Sequence, residues 1–425
     1  MTFTAHVCFL LSEWITFLLG AVPLRSRLTF VELFCGCLMS QEGWVTQAIS
    51  VIGREKHWTT YYKFLQRGSV KTQALASQLL RLVMVILRTT VLTAILDDTL
   101  LPRQSEDAPG VAIRCEHSGK NNRPRFINAQ CWLTLAVVVA RGVVPIRSRL
   151  VAGTGNTNKL FLGLALVRAI LPISPGLRLL IDSWFMRARL VLPLLSRGVR
   201  IIGQVRRDTA LFLPPEPEPK RRGRKRRYGK RLSADDIAAL AATEHDLRLY
   251  GKDMRVRLRS IIAVVRFLKG QTVLAVWYEF FDADKQSWSQ PRLLLATEKD
   301  LPPTRIMYLY SLRWGIEPLF DILKRWWGAA NLWQQSRRVL ESWMQIRSTA
   351  YALMHLLALS IPDAFPLADI APWRLSKPAI TAGLFAAWMR QHFFQLPFRR
   401  GYDPKSAQFT FPQPRANPVE QPAPS

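Results

Sequence analysis

Carboxylates of the kind that bind divalent cations stand at three distant places in the chain. They are the neighbours Asp97 and Asp98 in ILDDT (95–99), Asp182 in LLIDSWF (179–185), and Glu317 in YSLRWGIEPLFDILK (310–324). The last segment says most. On one helix turning about 100° per residue, with Glu317 at zero, Tyr310 falls near +20°, Arg313 near −40°, Lys324 near −20° and Asp321 near +40°. All five then share one face, while Leu309, Leu312, Ile316, Phe320 and Leu323 form an apolar face that anchors the helix on a core. A surface lattice of ion pairs would have the same polar composition. The apolar anchor argues for more, because a rigid carboxylate flanked by two cations and a phenol can hold a metal ion while the cations grip phosphates.

The elements that position these groups follow from periodicity. Residues 1–90 recur with helical spacing and show no alternating β-branched run, so a helical N-terminal domain is expected there. Within it, REKHWTTYYKFLQR (54–67) mixes cations with aromatics in a way that suits a DNA-docking helix. The apolar stretch Val7 to Val22 is interrupted by Glu13 and falls short of the ~20 residues a membrane helix needs, so a buried helix is expected. From residue 91 the texture changes to short apolar runs. VLTAILDDT (91–99), CWLTLAVVVA (131–140) and VVPIRSRLVAG (143–153) read as strands, and 158–171 as a helix. LRLLIDSW (177–184) reads as a buried strand, 185–198 as a helix despite Pro193, and VRIIGQV (199–205) as a fifth strand. Three strands followed by alternating helix and strand predict an α/β fold with helices on both sheet faces, and put Asp97 and Asp182 at strand ends.

Residues 209–301 read as a β-rich insertion, with PPEPEP (214–219), an unstructured basic loop at 220–231, and strands at 261–268 and 272–281. Pro302 and Pro303 open the helix over 304–328, in which Pro318 predicts a kink just after Glu317. Further helix is expected from about 333 to 360. The catalytic core is thus assigned to 91–208 and 302–360, and 361–425 to a C-terminal helical segment with a loose Pro-rich tail from Gln395.

Composition narrows the partner. The 425 residues carry 59 Lys plus Arg against 30 Asp plus Glu, a net charge of +29, far beyond what solubility needs. Such an excess points first to nucleic acid and second to an anionic membrane surface. The run KRRGRKRRYGKR (220–231) holds nine cations in twelve residues. Its Arg221, Arg222, Arg224, Lys225, Arg226 and Arg227 are candidates for tracking phosphates or entering a minor groove. Five cysteines without zinc-ligand spacing suggest a reducing compartment, with the thiols as small core residues. The histidines show no metal spacing either.

The spacing Tyr310-x2-Arg313-x3-Glu317-x6-Lys324 resembles the Tyr-Arg-Glu-Lys signature of cut-and-paste DDE transposases from bacterial insertion sequences. ILDDT resembles the first-aspartate motif of that group and LLIDSWF the second, so that the likeness spans roughly 91–360. It implies a ribonuclease H-like mixed sheet flanked by helices, in which two aspartates and a glutamate bind two Mg²⁺ ions, with Mn²⁺ as substitute. Catalytic residues would be Asp97, Asp182 and Glu317. Arg313 and Lys324 would contact phosphates near the cut, and Tyr310 the DNA backbone. Asp97 and Asp98 point to opposite faces of a strand, so only one enters the site easily; the family motif places the ligand two residues before Thr or Ser, which favours Asp97. The signature likewise favours Glu317 over Asp321. Double-stranded DNA, both element ends and target, would be the partner of a homodimer in a synaptic complex. The setting would be a bacterial cytoplasm beside the nucleoid, with no membrane. A nuclease of the same fold, or a copy that binds DNA without transposing it, is the second reading.

Overall fold

A computed structural model describes residues 2–67, 70–116, 125–153, 156–216, 226–362, 365–374 and 379–414. Its centre is a twelve-stranded mixed sheet. The first part comprises β1 (Thr93–Pro102), β2 (Val111–Cys115), β3 (Phe126–Val138) and β4 (Val143–Leu150), followed by β5 (Arg178–Ile181) and β6 (Arg200–Val205). The second part comprises β7 (Leu211–Phe212), β8 (Thr243–Leu249), β9 (Lys252–Val265), β10 (Gln271–Asp282), β11 (Ser287–Trp288) and β12 (Arg292–Ala296).

The strand order is β2-β3-β1-β5-β6-β12-β10-β9-β7, with β4 on β3, β8 on β9 and β11 on β10. Strands β1, β5 and β6 are parallel, whereas β3 runs antiparallel to β1 and β12 antiparallel to β6. The strands of 209–301 therefore continue the same sheet. The aliphatic residues of β5, β6 and β12 are buried on both faces, so that short runs such as LLI and LLLA show no alternation.

Five helices precede the sheet: α1 (Phe3–Leu19), α2 (Arg27–Met39), α3 (Val45–Ser50), α4 (Thr59–Gln66) and α5 (Thr72–Leu87). Helix α1 is the buried helix expected for the first apolar stretch, with Val7, Leu11, Ile15 and Leu18 fully covered. No helix among the described residues is long and apolar enough to cross a membrane. Within the sheet region lie α6 (Asn156–Arg168), α7 (Ala188–Leu195) and the short α8 (Ala234–Ala238). After it come α9 (Pro303–Ser311), α10 (Ile316–Arg325), α11 (Arg337–Ser360), α12 (Leu367–Ile370) and α13 (Ala382–Phe393). This is the ribonuclease H-like mixed sheet flanked by helices, with a helical N-terminal part.

Two expectations are corrected. The helix foreseen over 304–328 is α9 and α10 joined by a 3₁₀ turn at Leu312–Gly315. Pro318 has no N–H for the carbonyl of Trp314, and its ring crowds that carbonyl, so the break lies before Glu317 and not after it. Residues 395–411, foreseen as loose, fold back instead. A 3₁₀ turn at Phe398–Gly401 leads into a hairpin of β13 (Tyr402–Asp403) and β14 (Gln408–Phe409), and Phe398, Phe409 and Phe411 are buried. The amides of Phe409 and Phe411 donate to Thr16 Oγ1 (2.9 Å) and Ser12 Oγ (2.8 Å) of α1. Aromatics at these positions outweigh the local prolines.

Candidate active site

The site begins where a strand stops. Pairing between β1 and β5 ends at Leu96 and Ile181, so the next residues, Asp97 and Asp182, emerge side by side into a notch on that edge of β1. Asp182 lies at the end of its strand as expected, whereas Asp97 and Asp98 lie inside β1, opposite Thr134 and Leu133 of β3. The Oδ1 of Asp182 accepts the amides of Trp184 and Phe185, both at 3.0 Å, and this closes the turn that leads to α7.

Adjacent strand residues point to opposite faces, and here the two aspartates take different partners, although both line one cleft. Asp97 Oδ2 accepts Arg313 Nη1 at 2.9 Å, from the 3₁₀ turn between α9 and α10. Asp98 Oδ1 instead accepts Lys159 Nζ at 2.8 Å, from α6, and Cys131 Sγ lies 3.2 Å from its Oδ2. Arg313 Nη2 reaches on to Glu317 Oε1 at 3.3 Å, and the glutamate side chain is 42% exposed. Asp97 and Glu317, 220 residues apart in the chain, thus meet at one guanidinium.

Below Arg313 lies Tyr310, 5% exposed, its ring centroid 5.8 Å from the guanidinium carbon. Its hydroxyl and that of Tyr278 both donate to Gln204 Oε1, at 3.4 and 3.3 Å. This stack, buried in protein, fixes the arginine from beneath. Lys324, seven residues past Glu317 on α10, lines the same cleft of 810 Å³ as Asp97, Asp98, Asp182 and Glu317.

Crowding of acids in a partly dry notch shows in their proton affinity. Burial, then the nearby Asp182 charge, pushes Asp97 up to about 7, against the pull of Arg313. Asp182 is also raised, again chiefly by burial, although amide hydrogen bonds and Arg313 oppose it. Arg313 is driven above its ordinary range: burial works against its charge, but Tyr310, Asp97, Glu317 and Asp182 outweigh it.

The family model of the transposase DDE domain matches residues 92–353, well over half of the chain. The chain belongs to the DDE transposase family. A comparison with curated proteins finds no match. In this transposase the matched stretch runs from the start of β1 into α11 and contains every carboxylate of the cleft.

Several cleft residues were missed by sequence reasoning. Lys159 pairs with Asp98 and lies 3.8 Å from the ring centroid of Trp184; a lone lysine opening an otherwise apolar helix was the available signal. Arg114 lies on β2, a strand too short and too evenly mixed to stand out. Of the basic run, Arg221, Arg222, Arg224 and Lys225 lie outside the described residues. Arg226 and Arg227 are exposed beside β7, six strands from β1 along the sheet, or about 29 Å at ~4.8 Å per strand.

The donor chemistry suits a hard divalent cation, since all groups are carboxylate oxygens whose mutual repulsion an ion would relieve. Their disposition is looser, for among the described residues no three Asp, Glu, His or Cys side chains converge on one point. Glu317 faces Arg313 and would have to turn from it toward the aspartates.

Proposed function

We propose that the protein cuts and rejoins DNA as a magnesium-dependent transposase, with Asp97, Asp182 and Glu317 as the metal-holding and catalytic carboxylates. The observation that carries this reading is the meeting of those three side chains in one cleft inside the DDE domain, with Arg313 bonded to both Asp97 and Glu317. Bound Mg²⁺, or Mn²⁺ in its place, would activate a water or 3′-hydroxyl nucleophile and stabilise the leaving oxygen.

The chain's own residues do the rest. Asp97, inside β1 where its pairing with β5 stops, and Asp182, just past the end of β5, would supply neighbouring ligands on a rigid sheet, while Glu317 on α10 approaches from the opposite wall. Asp98, already paired with Lys159 in the same cleft, is the less suited ligand. With Glu317 turned toward the aspartates, Arg313 would keep only Asp97 as partner and, with Lys324, could face the scissile phosphate. Tyr310 acts through Arg313 as a positioning residue. Double-stranded DNA, as element ends and as target, is the substrate of a homodimer that pairs two ends in a bacterial cytoplasm. Arg226, Arg227 and the neighbouring cations Arg221, Arg222, Arg224 and Lys225 contact DNA outside the cleft.

The test is Mg²⁺-dependent cleavage of a supercoiled plasmid that carries the DNA flanking the gene. Cuts confined to the element ends, lost in Glu317→Ala and Asp182→Ala with DNA binding retained, are expected. Undiminished cutting by both variants would overturn the assignment.

A further inference from the structure

Lys159 stands in the cleft between the two segments that carry the aspartates. It lies on α6, and its Nζ is 2.8 Å from Asp98 Oδ1 on β1 and 3.8 Å from the ring centroid of Trp184. Trp184 belongs to the turn after β5 whose amides donate to Asp182 Oδ1. One ammonium group, on a side chain 15% exposed, therefore touches both sides of the notch in which Asp97 and Asp182 meet. The other oxygen of Asp98 is taken as well, because Cys131 Sγ donates to Oδ2 at 3.2 Å. Burial, and after it the Asp98 charge, pushes that thiol up to about 12, so it keeps its proton.

Helix α6 does not need this ion pair to stay on the sheet. Leu160, Leu164 and Val167 are buried, and a Cβ at Gly163 would lie 2.9 Å from Leu96 Cδ2, so the helix packs directly on β1 beside Asp97. An ion pair with both partners largely buried returns little net stability, because desolvation offsets the attraction. What it supplies here is position. Asp98 is close enough to add to the repulsion at both Asp97 and Asp182, so that a carboxylate set free there would compete for any cation between them.

We infer that Lys159 is a positioning residue of the metal site: by holding Asp98 from α6 it keeps that carboxylate off the cation and leaves Asp97 and Asp182 to bind it. The inference rests on the transposase reading and adds the residue that sets how many acids the cation meets. Contact with a DNA phosphate is the other use for a lysine in this cleft, but its Nζ is already engaged by a carboxylate and an indole face.

The experiment is Mn²⁺ uptake by the full-length protein at pH 8 without DNA, read from the spin-resonance signal of the free ion. In Lys159→Met the Asp98 charge is left uncompensated. A unit charge roughly 6 Å from a divalent ion strengthens its binding about tenfold even at the screening of water, so Mn²⁺ should bind about tenfold more tightly. Cleavage in Mg²⁺ should nevertheless be slower at unchanged duplex affinity, since the added ligand is the wrong one. Lys159→Arg, and the double variant Lys159→Met with Asp98→Asn, restore the balance of charge, and both should return Mn²⁺ affinity to the wild-type value. If Lys159→Met does not fold, Asp98→Asn reads the same pair from the other side: its unpaired ammonium should weaken Mn²⁺ about tenfold, and the double variant should recover it. Wild-type Mn²⁺ affinity in Lys159→Met and Asp98→Asn alike would overturn the inference. Loss of duplex binding in Lys159→Met that Asp98→Asn does not reverse would overturn it as well, in favour of a phosphate contact. Mn²⁺ uptake by the wild type that Asp182→Ala leaves unchanged would instead overturn the metal reading on which the inference rests.

Discussion

Replacing Asp97 by Asn should stabilise the protein at alkaline pH while abolishing cleavage. Asp97 is 16% exposed, and burial together with Asp182 raises it from the ordinary carboxylate value to about 7. A folded-state value above the unfolded one means that the folded chain binds the proton more tightly, so this contribution is fully present below the unfolded value near pH 4. It is lost as pH rises through about 7. The gap of about three pH units corresponds to a ceiling of ~4 kcal/mol at ~1.4 kcal/mol per unit, and allowing for the partial exposure about 3 kcal/mol is a fair expectation. Asparagine stays neutral and can still accept from Arg313. Its advantage over wild type should therefore grow between pH 4 and 8. With an unfolding entropy near 2.1 cal/mol/K per residue, 3 kcal/mol on 425 residues is about 3 °C in melting temperature. The assay is thermal melting of both proteins in EDTA at pH 5 and pH 8, with plasmid cleavage in Mg²⁺ alongside. A melting difference that does not widen with pH would refute the claim that buried repulsion at Asp97 is what the site stores.

Other substitutions separate the roles of neighbouring groups. Asp98→Asn should keep measurable cleavage where Asp97→Asn keeps none, because Asp98 is tied to Lys159; equal loss in the two, read in the plasmid assay, would remove the preference for Asp97. Tyr310→Phe breaks only the bond to Gln204 and should lower the cleavage rate without weakening DNA binding, whereas weakened binding at unchanged rate would indicate direct contact with DNA. Gly36→Ala would put a methyl 2.0 Å from the carbonyl of Ala48, forcing α2 from α3. A loss of about 1–3 kcal/mol in denaturant unfolding is expected, as for other overpacked contacts.

What the sequence disclosed, and what it hid, follows from the range of the interactions. Asp182 and Glu317 were legible because each sits in a local motif whose spacing is a property of one element. The alternation of strand and helix from 91 to 205 was legible for the same reason. Strand β2 was not, since VAIRC is short and only one of its residues is fully exposed, leaving no alternation to detect. Nor was the union of β12 with β6, which joins residues about 90 apart through antiparallel pairing that no periodicity encodes. Pro318 was seen as a breaker but assigned the wrong side, because the lost hydrogen bond belongs to the preceding turn. Lys159 was overlooked because its partner, Asp98, is 61 residues away in the chain.

The helices before residue 90 read from the sequence as a domain of their own, but α11 argues against their being detachable. Arg347, 1% exposed in the middle of that helix, donates to the carbonyl of Trp327 at 2.9 and 2.8 Å and to that of Ser40 at 3.1 Å, at the end of α2. One turn earlier the indole N–H of Trp343 donates to the carbonyl of Gly43 at 2.6 Å. No carboxylate is hydrogen-bonded to the guanidinium, although Cys37 and the charge of Glu42 favour its cationic form, so backbone carbonyls from both sides of the boundary hold it. Removing residues 1–90 would leave a buried cation short of an acceptor and uncover a tryptophan that is fully enclosed. Losing a partner of a buried charge costs about 3–5 kcal/mol, and an uncovered Trp loses contacts worth a further ~3 kcal/mol, together comparable with the whole stability of a domain. A fragment starting at residue 91 should therefore fail to fold, and Arg347→Met in the full chain should lower its unfolding midpoint sharply. A fragment that gives a cooperative unfolding transition and dispersed NMR amides would show that the helical part is a separable module.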